Sequence, residues 1–192
     1  MQAIIDSCKK GTLNASCCVV ISNNADSMAL KRGRKEKIPA FCFNLKTHPD
    51  PEELDSAILQ TLKKYNVNLI ILAGYMRLIG NSIQKYYKNR ILNIHPALLP
   101  KFGGKGMYGK FVHEAVIKAR EKISGATIHL VTENYDQGPI IAQKKVLVLK
   151  NDTPDSLARK ILTQEHILFS KTLQKISLGK IDLDSIASCY SS

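Results

Sequence analysis

Apolar residues follow two rhythms along the chain. Apolar-rich runs of strand length fall at 16–22 (SCCVVIS), 39–44 (PAFCFN), 67–74 (VNLIILAG, interrupted by Asn68) and 90–95 (RILNIH). Between them lie stretches with apolar positions three and four apart, the spacing of a helix with one buried face. The opening segment, QAIIDSCKKG, puts Ala3, Ile4 and Cys8 on one such face and closes at Gly11. A second helix follows Asp26 or Ser27 as N-cap, and a third spans about 50–65 with Pro51 in its first turn. Its acids come early and its lysines late, as the helix dipole prefers. A fourth helix sits near 81–88.

The first half therefore reads αβαβαβαβ with short connections, which predicts a Rossmann-like α/β fold. Its sheet should be mostly parallel and twisted, with helices on both faces. After residue 95 the rhythm changes. A glycine-rich loop (PKFGGKGMYGK) leads to a helix at 111–121 and a strand at 126–131. A second strand at 140–148 can pair with it as a hairpin at a sheet edge, and a long helix starts at Pro154. The tail from 185 to 192 reads as frayed. No repeat or low-complexity segment divides the chain, so 1–192 reads as a single domain. One element is out of place: a parallel α/β sheet normally places a strand before its first helix, and here the pattern opens on the helix.

Composition narrows the classes. The 192 residues carry a net charge of +12, from 28 basic and 16 acidic side chains. That charge favours anionic partners without choosing among them. Tryptophan is absent and aromatics are scarce, so no base-stacking platform for nucleic acid is evident. Five cysteines at uneven spacings form neither a CxxC nor a Cys/His metal pattern, and predict a reducing, cytoplasmic compartment. No apolar run approaches bilayer-spanning length.

The candidate chemistry gathers at ILNIHPALLPKF (91–102). Asn93 and His95 share strand parity, so both project from one face, and Pro96 then ends the ladder. In open α/β sheets ligands bind at that end of the strands. Asp136, in YDQGP, joins them as a candidate. A His can serve as acid or base, an Asn N–H can stabilise a developing oxyanion, and a carboxylate supports a charged imidazole. The set has no companion nucleophile and suits direct acyl transfer to an amine. Each residue also has an ordinary reading: His95 as a satisfied core histidine, Asp136 as a turn residue before Gly138-Pro139. His129 reads as structural support, His113 as a cap, His48 as a loop surface residue. Lys105, among glycines, faces either an anionic ligand or solvent.

AGYMRLIG, ILNIHPALLPKFGGKGMYG, GATIHLVTENYDQGPIIAQ and LTQEH together resemble the folate-dependent formyltransferases, in the branch that acts on glycinamide ribonucleotide in purine synthesis. The resemblance runs in order over nearly the whole chain. It implies formyl transfer from 10-formyltetrahydrofolate to the amine of glycinamide ribonucleotide, with Asn93, protonated His95 and Asp136 as the catalytic set and no metal. Met76, Arg77, Leu78, Ile79, Asn93 and the loop Thr132, Glu133, Asn134, Tyr135 and Asp136 would line the folate pocket. Gly74, Leu162, Thr163, Gln164 and Glu165 would line the substrate side. The implied partners are these small molecules, with no nucleic acid or membrane, on a monomer or homodimer.

Two departures stand against that resemblance. A folate-tail arginine expected near 50–65 is replaced by Pro51 and Glu52. The family's first strand and its Gly-x-Gly-Ser-Asn phosphate loop have no counterpart ahead of Met1, so the chain is expected to be one strand short and to bind substrate phosphate poorly. Rival readings are a methionyl-tRNA formyltransferase-like enzyme, a formyltetrahydrofolate hydrolase, and an inactive paralogue or folate-pocket binding protein.

Overall fold

A computed structural model describes residues 1–190. The described residues form six strands and seven helices, and four of each alternate through the first half, as the apolar rhythm predicts: α1 (Gln2–Lys9), β1 (Val20–Ser22), α2 (Met28–Lys35), β2 (Ala40–Cys42), α3 (Pro51–Lys64), β3 (Ile70–Leu72), α4 (Asn81–Tyr86) and β4 (Ile91–His95). Then come α5 (Lys110–Lys118), the hairpin β5 (Ile123–Leu130) and β6 (Ile140–Leu147), α6 (Pro154–Ser177) and α7 (Leu183–Tyr190).

The helix starts follow local chemistry. Ser27 caps α2 by accepting from the Leu30 N–H, which decides between the two predicted caps. Asp50 caps α3 ahead of Pro51, with Glu52 and Glu53 in the first turn and Lys63 and Lys64 in the last. Thr153 and Ser156 form a reciprocal capping box on α6. By contrast, α1 has no side-chain cap and no acid in its first turn.

The Rossmann-like α/β architecture holds, with the strands in two sheets. β1 and β2 form a parallel pair, and the other four strands run β3-β4-β5-β6. β3 is parallel to β4, whereas β5 and β6 are antiparallel, as the predicted edge hairpin requires. β1 is shorter than the run 16–22 suggested, because only Val20–Ser22 finds a partner strand.

Helices cover both faces of the larger sheet. On one, Leu92, Ile128 and Leu130 pack against Leu13, Phe169, Leu173 and Leu183. On the other, Leu72 and Ile91 pack against Leu62, Ile83 and Tyr87. Leu92 and Ile128 are fully buried, and truncating either to Ala would cost about 2–5 kcal/mol. The tail departs from its predicted fraying. α7 reaches Tyr190, Leu183 is buried, and Asp184 accepts a bidentate pair of hydrogen bonds from Arg90. Ser191 and Ser192, also assigned to that tail, lie outside the described residues.

Candidate functional site

Strand register brings the candidate residues together. Asn93 stands opposite His129 across the β4–β5 ladder, and His95 opposite Thr127. Ladder partners share a face of the sheet. All four side chains therefore project on the side that carries Ile91, just past the helices that cover it.

Two histidines have their tautomers set by carbonyl partners. His95 Nε2 lies 2.7 Å from the Phe102 carbonyl, which can only accept, so Nε2 carries hydrogen and donates. That leaves Nδ1, 3.5 Å from Asp136 Oδ2, as the ring's open position. Similarly, His129 Nδ1 donates to the Leu130 carbonyl at 2.8 Å. Its Nε2 then accepts from Asn93 Nδ2 at 3.1 Å and lies 3.4 Å from Asp136 Oδ1. His129 is thus more than strand support: it orients the Asn93 amide and faces the same carboxylate as His95.

Asp136 has a left-handed backbone, with φ of 56°. Aspartate tolerates that region better than most residues. The turn aims the carboxylate inward, where Oδ2 accepts from the Gly104 N–H at 3.0 Å. Gly103 permits this approach. A Cβ there would stand 2.4 Å from Leu99 Cδ2 and 3.1 Å from Asp136 Cβ.

Electrostatics follows from burial. Asp136 is opposed by its own desolvation, but His129, His95 and the Gly104 N–H together hold its carboxyl below the usual range. Burial lowers the His95 pKa, against smaller raising effects from Asp136 and the Phe102 carbonyl. Burial thus favours the neutral ring, with Nδ1 bare, over the protonated form that the resemblance implies. His113 does not cap α5. It is buried in the cavity wall with Nδ1 unpartnered, and burial followed by His95 lowers its pKa.

A buried network holds the loop after β4. Thr127 Oγ1 donates to the Ala97 carbonyl at 2.7 Å and accepts from the Leu99 N–H and Gln143 Nε2 at 3.1 and 2.9 Å. This loop carries Phe102, the partner of His95. Neither Thr127 nor Gln143 stands out in the sequence, because their roles depend on the antiparallel register.

These groups sit at one end of a cavity of about 690 Å³ at the carboxyl ends of β3 and β4. Gly74, Met76, Arg77, Leu78 and Ile79 form one wall, Thr132, Asn134, Tyr135 and Asp136 another, and Leu162 and Glu165 of α6 a third. Lys105 lines it from the glycine loop. Glu133, Thr163 and Gln164, predicted to line it, do not: Glu133 is exposed on its loop, and the Thr163 hydroxyl turns back to the Arg159 carbonyl. Burial raises the Glu165 pKa to about 7, against an opposing effect from the Met1 amine. Among the described residues no three or more His, Cys, Asp or Glu side chains are arranged so that they could hold a metal ion, and no helix is long and apolar enough to cross a membrane.

A family model described as formyl transferase matches residues 1–173. An Arabidopsis thaliana protein named phosphoribosylglycinamide formyltransferase, chloroplastic, is 41% identical over 181 residues, covering 94% of this chain and 62% of its own length. The chain thus spans about three fifths of that plant relative. An Escherichia coli protein named phosphoribosylglycinamide formyltransferase is 31% identical over 183 residues, covering 95% of this chain and 84% of its own. The crystal structure of glycinamide ribonucleotide transformylase 1 from Symbiobacterium toebii superposes with a TM-score of 0.86 at 38% identity, covering 93% of this chain and 82% of that one.

Proposed function

The chain belongs to the formyl transferase family, and on that premise we propose that it moves a formyl group from 10-formyltetrahydrofolate to the primary amine of glycinamide ribonucleotide. The observation that carries this reading is the convergence of Asn93, His95, His129 and Asp136 at one end of a single cavity.

The cavity suits the two substrates. Met76 and Leu78 are exposed apolar side chains flanking Arg77, a surface fit for a flat heterocycle with a polar edge. Glu165 lies on another wall, where a carboxylate can accept from ribose hydroxyls or an ammonium. The folate supplies an activated formyl carbon, and the remaining chemistry belongs to the side chains. The Asn93 amide spends one N–H on His129, and its second N–H is free to meet negative charge developing on the formyl oxygen. His95 Nδ1 takes the proton that the amine loses as it bonds to that carbon. The imidazolium so formed faces Asp136, whose carboxylate stabilises it. The proton can then pass to the departing folate nitrogen.

The test is a formyl-transfer assay on this chain with glycinamide ribonucleotide as acceptor, run beside His95→Ala. The reading requires acceptor-dependent release of tetrahydrofolate and a drop of roughly 10²–10⁴ in the variant. Release at the same rate without acceptor would indicate a hydrolase, and turnover within twofold in the variant would remove His95 from the mechanism.

A further inference from the structure

The formyl transfer leaves His113 unused. This residue is 6% exposed and follows the Gly109 cap by one turn of α5. Helix side chains lean back toward the amino end of their helix. Here that end lines the cavity, through Gly109 and Lys110, so the ring leans toward the cavity as well. Its Nδ1 is wholly buried with no hydrogen-bond partner. Its Nε2 is not wholly buried and makes no hydrogen bond among the described residues. Nε2 is therefore the nitrogen that the ring shows to open space. Burial, and after it His95, favour the neutral ring, which keeps one N–H. A buried N–H without an acceptor is the rarer orphan, so the hydrogen sits on Nε2 and Nδ1 is bare. An unpaired Nδ1 is a cost to the fold that an apolar side chain in the same place does not carry.

The neighbours of His113 narrow what can reach this donor. Val116, one turn further along α5, packs against Leu157 and Ile161 of α6. In turn, α6 shows Ala158, Leu162 and Glu165 to the cavity. His113 is also near enough to His95 for the two rings to repel when charged. It thus joins the His95 end of the cavity to the wall that carries Glu165. The amine substrate has to span the same stretch, with its amine at His95 Nδ1 and its ribose at Glu165. Between amine and ribose, glycinamide ribonucleotide has a methylene and an amide. The carbonyl of that amide gives up water on binding and needs a donor in exchange.

On the premise of the reaction above, we propose that His113 is a further binding residue for the amine substrate: its Nε2–H donates to the glycinamide carbonyl oxygen and so places the amine at His95 Nδ1. The donor also discriminates. An amine with no acceptor oxygen at that point leaves the Nε2–H unpaired in the wall and binds less well. The orphaned Nδ1 is the structural cost of holding the donor there.

Three variants test the assignment. His113→Phe and His113→Leu remove the N–H in two apolar shapes, and His113→Gln returns an N–H near the place of Nε2. Imidazole nitrogen NMR shifts of the ligand-free chain read the tautomer, with the His113 signals identified by their loss in the variants. Hydrogen on Nε2 is expected, and hydrogen on Nδ1 would overturn the donor. Steady-state kinetics then vary glycinamide ribonucleotide and 10-formyltetrahydrofolate in turn. Both apolar variants should raise KM for the amine about tenfold or more, with kcat and the folate KM within about threefold of the parent, because binding is lost equally from ground and transition states. The Gln variant should return KM for the amine to within about threefold of the parent. Melting temperatures of the Phe and Leu variants should match or exceed the parent's, since the orphaned Nδ1 is gone. A purely structural His113 predicts the opposite pair, a lower melting temperature and an unmoved KM for the amine, and that result would overturn the proposal. A KM rise confined to the folate would overturn it too, while leaving the proposed reaction in place. A parent chain with no acceptor-dependent turnover would remove both.

Discussion

Replacing Asp136 with Asn tests whether its charge or its turn matters. The substitution keeps the shape, and Asn tolerates the same left-handed backbone. If the amide oxygen keeps the Gly104 N–H, the NH₂ is presented to His129 Nε2, where it competes with Asn93. His95 then faces a neutral oxygen in place of a carboxylate 3.5 Å from Nδ1. With charge centres roughly 5 Å apart and an effective dielectric of about 20, the lost attraction to an imidazolium is about 3 kcal/mol. Water in the open cavity screens part of that, leaving about 1.5–3 kcal/mol, or a rate loss of about 10–100-fold.

The sign of the pH effect follows from the same geometry. Asp136 raises the His95 pKa against burial, so removing the charge lowers it further. A base acting through neutral Nδ1 then stays unprotonated to lower pH, and the acidic limb of the pH–rate profile moves down. Single-turnover rates from about pH 5 to 9 measure both effects. A slower plateau with a limb displaced to lower pH supports the charge role. An unmoved limb with kcat within twofold of the parent would reduce Asp136 to a turn residue.

Glu165, with its pKa raised to about 7, should bind the amine substrate as a carboxylate: KM should climb as pH falls below about 7, and Glu165→Gln should show a high KM with no such climb. A parallel pH dependence in the variant would place the titration elsewhere. Thr127→Val leaves the Leu99 N–H and Gln143 short of a partner, so urea unfolding should show a loss of about 1–3 kcal/mol, and a change under about 0.5 kcal/mol would refute the network. His95 and His113 are buried with lowered pKa values, so below about pH 6.5 the unfolded chain binds protons that the folded chain resists. Glu165, with its pKa raised to about 7, works in the opposite sense, so the curve is read in Glu165→Gln: stability there should fall as pH drops through 6.5, and a flat curve from pH 7.5 to 5.5 would contradict the burial of both rings as neutral.

What the sequence disclosed depended on whether the cause was local. Caps, terminal charges and the Pro96 stop act within a few residues, so α2, α3, α6 and the end of β4 were legible. Parity alone put Asn93 and His95 on one face. His129 was read as support because its role depends on standing opposite Asn93, a register 36 residues away. The His95 environment is a related case: a neighbouring carboxylate can be guessed from a motif, but the burial that works against it cannot. The tail looked frayed because its polar residues hide the partners that hold it, Arg90 on Asp184 and the Gln137 carbonyl under the Tyr190 hydroxyl.

The register also separates the chemistry from the smaller sheet of β1 and β2. Leu72, Asn93 and His129 lie in one row across β3, β4 and β5, with His95 and Thr127 in the next row. Those rows are set by β4 and the long β5–β6 hairpin, which runs from Ile123 to Leu147 and makes no pairing with β1 or β2. The orientation of His95, Asn93 and Asp136 therefore does not depend on β1 or β2. One wall of the cavity does, in part: Gly74, Tyr75 and Arg77 line both it and the apolar groove of about 1250 Å³ that also takes in Ile21 of β1. Ile21→Ala should therefore weaken substrate binding while leaving the His95 limb of the pH–rate profile where it was. A shift of that limb would mean that β1 reaches the catalytic row after all.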